Sequence, residues 1–112
     1  MSRLPLNANE KLAIKEFRER VFQLLGNELK KMALFGSKAN GHATSESDID
    51  ILVLIKDSAI RRRNSILDQA FEVNLKYGVY ISPRIVSLAT FNHPVWRITP
   101  FLKKLRKEGV PF

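Results

Sequence analysis

The chain has 112 residues and is strongly basic, with 19 lysines and arginines against 11 acids, a net charge of +8 and 45% hydrophobic content. That length holds one core, so a single domain over residues 1–112 is expected. With no cysteine, disulfides, thiolate metal sites and cysteine nucleophiles are excluded, and the longest apolar run, Ile49 to Ile55 broken by Asp50, is far too short to span a bilayer.

From the N-terminus, Asn7 to Leu25 reads as a helix. Asn7 and Glu10 have capping-box spacing, Ile14, Phe17, Val21, Leu24 and Leu25 fall on one face, and Gly26 supplies the stop. Lys31 to Phe35 reads as a first strand. Asp48 to Ile55 reads as a second, so continuously apolar after its aspartates that burial on both faces is expected. Ser58 to Lys76 reads as a second long helix, with Ile66, Ala70 and Val73 packing on the sheet together with Leu67 and Phe71, and with Gly78 as its end. Val79 to Ser87 is a third strand, and Pro83, which cannot donate to a ladder, assigns it to an edge or a bulge. Thr99 and Pro100 open a short last helix with Phe101, Leu102 and Leu105 inward and Gly109 as stop. The expected fold class is α/β (α+β): a small mixed sheet with helices packed on one side.

The chemistry is concentrated between the first two strands. Leu34-Phe35-Gly36-Ser37-Lys38-Ala39-Asn40-Gly41 is followed, ten residues after Ser37, by Asp48-Ile49-Asp50-Ile51-Leu52-Val53. Glycine at 36 allows close backbone approach without a Cβ. Ser37 offers a hydroxyl and a backbone N–H to a phosphate oxygen, and Lys38 a counter-charge. Asp48 and Asp50 stand at i and i+2, so on a strand both carboxylates leave one face while Ile49 and Ile51 enter the core. Two carboxylates that close oppose each other's ionisation, and a hard cation such as Mg²⁺ removes the conflict while using substrate phosphates as further ligands. Gly36, Ser37 and Lys38 are the candidate phosphate binders; Asp48 and Asp50 are the candidate catalytic metal ligands.

This block resembles the signature of the polymerase β-type nucleotidyltransferase superfamily, in its small stand-alone minimal nucleotidyltransferase (MNT) branch. Ala39, Gly41 and Ser47 fit the same pattern, and Tyr77 to Pro83 and Arg106 to Val110 are similar to members of the branch. The resemblance implies a polymerase β palm-like fold, Mg²⁺ as cofactor and an NTP, ATP above all, as donor. The reaction implied is transfer of a nucleoside monophosphate to an acceptor hydroxyl. It further implies a HEPN-type toxin as partner, silenced by transfer of AMP.

The chain departs from that pattern at one point. Active members add a third carboxylate from a later strand, and a two-metal mechanism needs ligands for ions about 3.5–4 Å apart. After Asp50 the only acids are Asp57, Asp68, Glu72 and Glu108, while the expected strand offers Tyr80, Ser82 and Arg84. A catalytically incomplete nucleotide- or partner-binding antitoxin is therefore the alternative, with Arg84 as a substitute for the metal in its most reduced form. Residues 51–112 carry eleven basic and four acidic groups, so a weaker alternative is a nucleic-acid-binding module. Arg61-Arg62-Arg63 opposes a helix dipole and suggests contact with a partner or polyanion. His42, His93 and Trp96 take the ordinary readings of loop, structural and core-edge residues. The N-terminus has no basic-then-apolar leader, and a cytoplasmic location is expected.

Overall fold

A computed structural model describes residues 6–35, 48–93 and the backbone of 110–111. The elements in chain order are helix α1 (Ala8–Leu25), strand β1 (Leu29–Phe35), strand β2 (Ile49–Ile55), helix α2 (Arg63–Tyr77), strand β3 (Ile81–Ser87), the short helix α3 (Leu88–Asn92) and strand β4 (Val110–Pro111). Three-residue and six-residue 3₁₀ turns precede β1 and α2. Gly36, Ser37, Lys38, His42, Trp96 and the helix expected from Thr99 to Gly109 lie outside the described residues.

Helix α1 begins as its sequence dictates. The Asn7 side chain accepts from the Glu10 N–H at 2.8 Å, and the Asn7 N–H donates to Glu10 Oε1 at 3.0 Å, so two donors without helical partners are satisfied reciprocally. Its buried stripe is Glu10, Ala13, Ile14, Phe17, Val21 and Leu25. Gly26 ends it at φ 58°, ψ −127°, a conformation that only glycine adopts without strain. Helix α2 buries Ile66, Ala70 and Val73 and ends in a left-handed Gly78. Its first two turns differ from expectation: Asp57–Arg62 is 3₁₀, and no side chain caps the α-helix that follows. Phe71, expected to pack on the sheet, is instead 62% exposed. At 100° per residue it points well away from the Ile66–Ala70–Val73 stripe, so the periodicity, followed strictly, excludes it.

The sheet order is β3-β2-β1-β4, with β1 antiparallel to both β2 and β4 and β2 parallel to β3. Strand β2 is central and six of its seven residues are buried. Ile49, Ile51, Val53 and Ile55 face the stripes of α1 and α2 and form the main core with Phe17, Ile66 and Val73. The opposite face carries a smaller apolar cluster of Ala33, Phe35, Leu52, Leu54 and Val86, covered in part by Leu88 and Phe91 of α3. The two long helices thus share one face, and the turn into α3 shields part of the other.

Strand β3 is the edge that Pro83 requires. Its exposed backbone is blunted at the first position, where the Asn74 side chain accepts from the Ile81 N–H at 2.7 Å and donates to the Ile81 carbonyl at 3.1 Å. Pro83 has no N–H to offer at the next such position. The Asn74 carbonyl also accepts from Gly78 and Val79, so one residue closes α2 and starts β3.

The two long helices are joined by a charge cluster. Glu16 accepts from Lys76 Nζ at 2.8 Å, from the Tyr77 hydroxyl at 2.7 Å and from Arg20 Nε at 2.9 Å. The Lys76 hydrogen bond, followed by those from Tyr77 and Arg20, holds its carboxyl at about 2, below the ordinary 4.5. A carboxyl held down in the folded state stabilises fully above its unfolded value and loses that contribution as pH falls towards the folded one. The stability difference between the native chain and Glu16→Gln should therefore be constant above about pH 5 and shrink between about pH 4.5 and 2, read from urea midpoints across that range. Asn74→Ala should cost about 1–3 kcal/mol, because it leaves the Ile81 N–H without a partner, and hydrogen exchange should accelerate at Ile81 before it does in β2.

Candidate functional site

Each predicted site residue can be located relative to β2. Asp48 is exposed immediately before the strand, and Asp50 is half-buried two residues on. Alternation puts Asp50 on the face of Leu52 and Leu54, away from α1 and α2, because Ile49 and Ile51 are wholly buried in the main core. Asp50 is therefore held near the start of a strand whose backbone is fixed by neighbours on both sides, while Asp48, expected as the first residue of that strand, stands just outside it. Asp50 pairs with Phe35 across β1 and with Ser82 across β3. Phe35 is the last residue of β1, so the chain passes into Gly36, Ser37 and Lys38 from the residue beside Asp50. The Ile49 N–H donates to the Tyr80 carbonyl at 2.8 Å, which brings the start of β3 alongside Asp48.

The β3 register explains what lies opposite. On the face of Asp50, β3 presents Ser82 directly across and Arg84 across from Leu52. Neither is a carboxylate, and among the described residues no group of three or more His, Cys, Asp or Glu side chains is arranged to hold a metal ion. The other acids are employed elsewhere. Asp57 accepts from the Ala89 N–H at 3.0 Å and so anchors α3. Glu72 lies 3.7 Å from Arg20, and Asp68 is exposed on α2. The pair itself is an oxygen-only donor set with at least one ligand open to solvent, which suits a hard divalent cation that keeps water and substrate phosphates in its remaining positions.

Two of the three consecutive arginines have internal partners. Arg62 donates to the Leu24 carbonyl at 3.3 Å, satisfying the end of α1, and Arg61 donates to the Ser58 carbonyl and lies 4.0 Å from Glu28. Arg63 is exposed. These contacts supply the reason that cations sit at the start of α2 against its dipole. His93 closes α3, its N–H donating to the Thr90 carbonyl at 3.2 Å.

Two surface depressions flank this framework. The larger, about 630 Å³, lies between α1 and α2 and is lined by Glu16, Arg20, Gln69 and Lys76 among others. It is on the helical face of the sheet, on the far side from Asp50, and its Arg20 and Lys76 both donate to its Glu16. The smaller, about 420 Å³, is lined by Phe71, Asn74, Leu75, Gly78, Val79 and Tyr80. Its Tyr80 is the residue bonded beside Asp48, so an apolar surface continues from the carboxylate end of the sheet. The sequence carries one sign of it, the i, i+4 pair Phe71 and Leu75, both mostly exposed.

Comparison with known proteins agrees with this framework. The family model described as a nucleotidyltransferase domain matches residues 14–110. A protein of Methanocaldococcus jannaschii named as a putative protein adenylyltransferase is 39% identical over 102 residues, covering 90% of this chain and 95% of its own length. A second protein of that organism and name is 38% identical over 73 residues, covering 64% of this chain and 74% of its own length. Among solved structures, a toxin-antitoxin crystal structure with AMP-PNP superposes with a TM-score of 0.50 at 21% identity, over 85% of this chain and 68% of that one. At that identity the likeness bears on the fold alone.

The register generates a direct test. Ser82→Asp adds a carboxylate across from Asp50 and should tighten Mn²⁺ binding, read by calorimetry or by paramagnetic broadening, whereas Asp50→Asn should weaken it in both backgrounds. Equal Mn²⁺ binding by all four proteins would remove Asp50 from the metal site.

Proposed function

We infer the function of this chain from its family: it belongs to the nucleotidyltransferase domain family. It acts as a metal-dependent nucleotidyltransferase that moves a nucleoside monophosphate from an NTP, with ATP as donor, to an acceptor hydroxyl on a protein. The observation that carries this reading is Asp50 on a strand locked between two others, with Asp48 exposed immediately before that strand, beside the strand end that leads into Gly36-Ser37-Lys38. The names of the Methanocaldococcus jannaschii relatives support a protein as acceptor and AMP as the group transferred. A HEPN-type toxin is the partner class implied by the resemblance to minimal nucleotidyltransferases, which would make the chain an antitoxin.

In this reading Asp48 and Asp50 hold Mg²⁺, which when bound neutralises phosphate charge. Ser37, through its hydroxyl and N–H, and Lys38, through its ammonium, hold the triphosphate, with Gly36 allowing the backbone to approach it. The acceptor oxygen forms a bond to the α-phosphorus as the bond from that phosphorus to the bridging oxygen breaks, and pyrophosphate leaves. Catalysis comes from in-line positioning and charge neutralisation, with no covalent bond to the protein. The acceptor proton passes to solvent or to a base on the acceptor, since β3 offers only Ser82 and Arg84 on this face.

That same pair of residues favours a second reading, in which the chain binds nucleotide and partner but transfers slowly or not at all. The two readings diverge in one experiment. With α-labelled ATP, Mg²⁺ and a co-expressed partner, the transferase reading expects label on the partner, reduced by at least about 10²-fold in Asp48→Asn or Asp50→Asn. Partner binding without label in the native chain would establish the scaffold instead. Mg²⁺-dependent thermal stabilisation by ATP, absent in Asp50→Asn, is expected under the transferase reading before any acceptor is known.

A further inference from the structure

Counted along the sequence, the first fifty residues are nearly neutral, with eight basic and seven acidic groups. The fold redistributes that balance. Of the three acids of α1, Glu10 is 5% exposed and closes the capping box, Glu16 is enclosed by Lys76, Tyr77 and Arg20, and Glu19, though exposed, stands outside the ridge arc on the side of the depression that faces α2. Three cations of the same helix behave differently. Lys11, Lys15 and Arg18 are all exposed, and none is in an ion pair with a described residue. With 100° per residue they fall, together with Phe22, within an arc of roughly 60° on the side of α1 turned away from α2, along roughly 16 Å of helix. Phe22 is 57% exposed. The helix has sorted its charges, and the outer ridge is purely cationic with one aromatic at its end.

We propose that this ridge is a docking surface for an acidic, amphipathic segment of a protein partner. Charge complementarity selects the partner: three cations without a partner among the described residues, on a chain of net charge +8, favour acids opposite. Spacing selects its form. Lys11, Lys15, Arg18 and Phe22 repeat at i, i+4, i+7 and i+11, the interval at which a second helix meets the same face turn after turn. Phe22 supplies the apolar anchor that protein interfaces enclose within a polar rim. A nucleic acid is the poorer match. Proteins held by phosphate contacts use about 6–10 of them, and three on a convex ridge give little affinity. The ridge is on the helical side of the sheet, opposite the face of Asp50, so a partner bound there leaves the carboxylates accessible.

The proposal does not depend on the transferase reading, and its test reads binding alone. The probe is a fluorescent helix-forming peptide with glutamates at i, i+4 and i+7 and a leucine at i+11, measured by anisotropy at low and at high salt against a single-stranded 20-nucleotide DNA. The native chain should bind the peptide more tightly than the DNA, and added salt should weaken the complex. Lys11→Gln/Lys15→Gln/Arg18→Gln should lose about tenfold in affinity. Phe22→Ser should weaken the peptide and leave the DNA unchanged. All four positions are exposed, and an unaltered circular dichroism spectrum together with an unaltered thermal midpoint distinguishes a lost docking surface from a lost fold. The proposal is overturned by absent peptide binding, by equal binding of the folded triple variant, or by tighter binding of the DNA than of the peptide.

Discussion

Strand β2 has to lose water from both faces at once, and the rest of the molecule follows from that requirement. A seven-residue strand with six buried positions needs a hydrogen-bonded neighbour on each side and an apolar layer on each face, because an unpaired buried backbone group costs about as much as a lost hydrogen bond. Strands β1 and β3 provide the neighbours. The stripes of α1 and α2 cover one face, and α3 covers part of the other. Each fully buried aliphatic side chain of the strand contributes about 1.5–3 kcal/mol. Asp50 is the one polar side chain in such a strand. It is tolerated because it stands one residue from the strand's beginning, half-exposed at the rim of the smaller apolar cluster.

The candidate site residue Asp50 draws its rigidity from the same burial. A carboxylate on a mobile loop would give a metal ion a site that had to be ordered on binding, whereas Asp50 is carried by backbone paired on both sides. The start of β3 is fixed by Asn74, which joins it to the end of α2, and the Tyr80 carbonyl receives the Ile49 N–H next to Asp48. Helix packing is thereby coupled to the position of the carboxylate end of the sheet. The charge cluster around Glu16 acts further out, pinning α1 to the last turn of α2 on the opposite side of the sheet.

Much of this was legible in the residues. The capping box at Asn7 and Glu10, the buried stripe of α1, the stops at Gly26 and Gly78, the doubly buried β2 and the edge position of β3 are all local consequences of side-chain type and spacing. The family was also legible, because a Gly-Ser turn ten residues before alternating aspartates meets several chemical demands together. The failures have identifiable causes. The segment before α2 is 3₁₀: Asp57–Arg62 has no capping side chain, and Arg61 and Arg62 donate back to the Ser58 and Leu24 carbonyls. Phe71 was assigned to the core by its hydrophobicity, against its own angular position. Helix α3 is five residues long, too short for periodicity to register, and β4 is a two-residue pairing whose partner lies about 75 residues away in the chain.

By itself, then, the sequence determined the long elements, the family and the candidate site residues, since these depend on spacing within ten or twenty residues. It also determined that no acid stands among the strand residues following Gly78. Only the tertiary structure decided which side chain faces which. The parallel register sets Ser82 across from Asp50, and the fold draws Glu10 and Glu16 inward while leaving Lys11, Lys15 and Arg18 outward. The physical reason is that charge and hydrogen bonding act through space: a count along the chain sums groups that folding separates onto opposite sides of a helix.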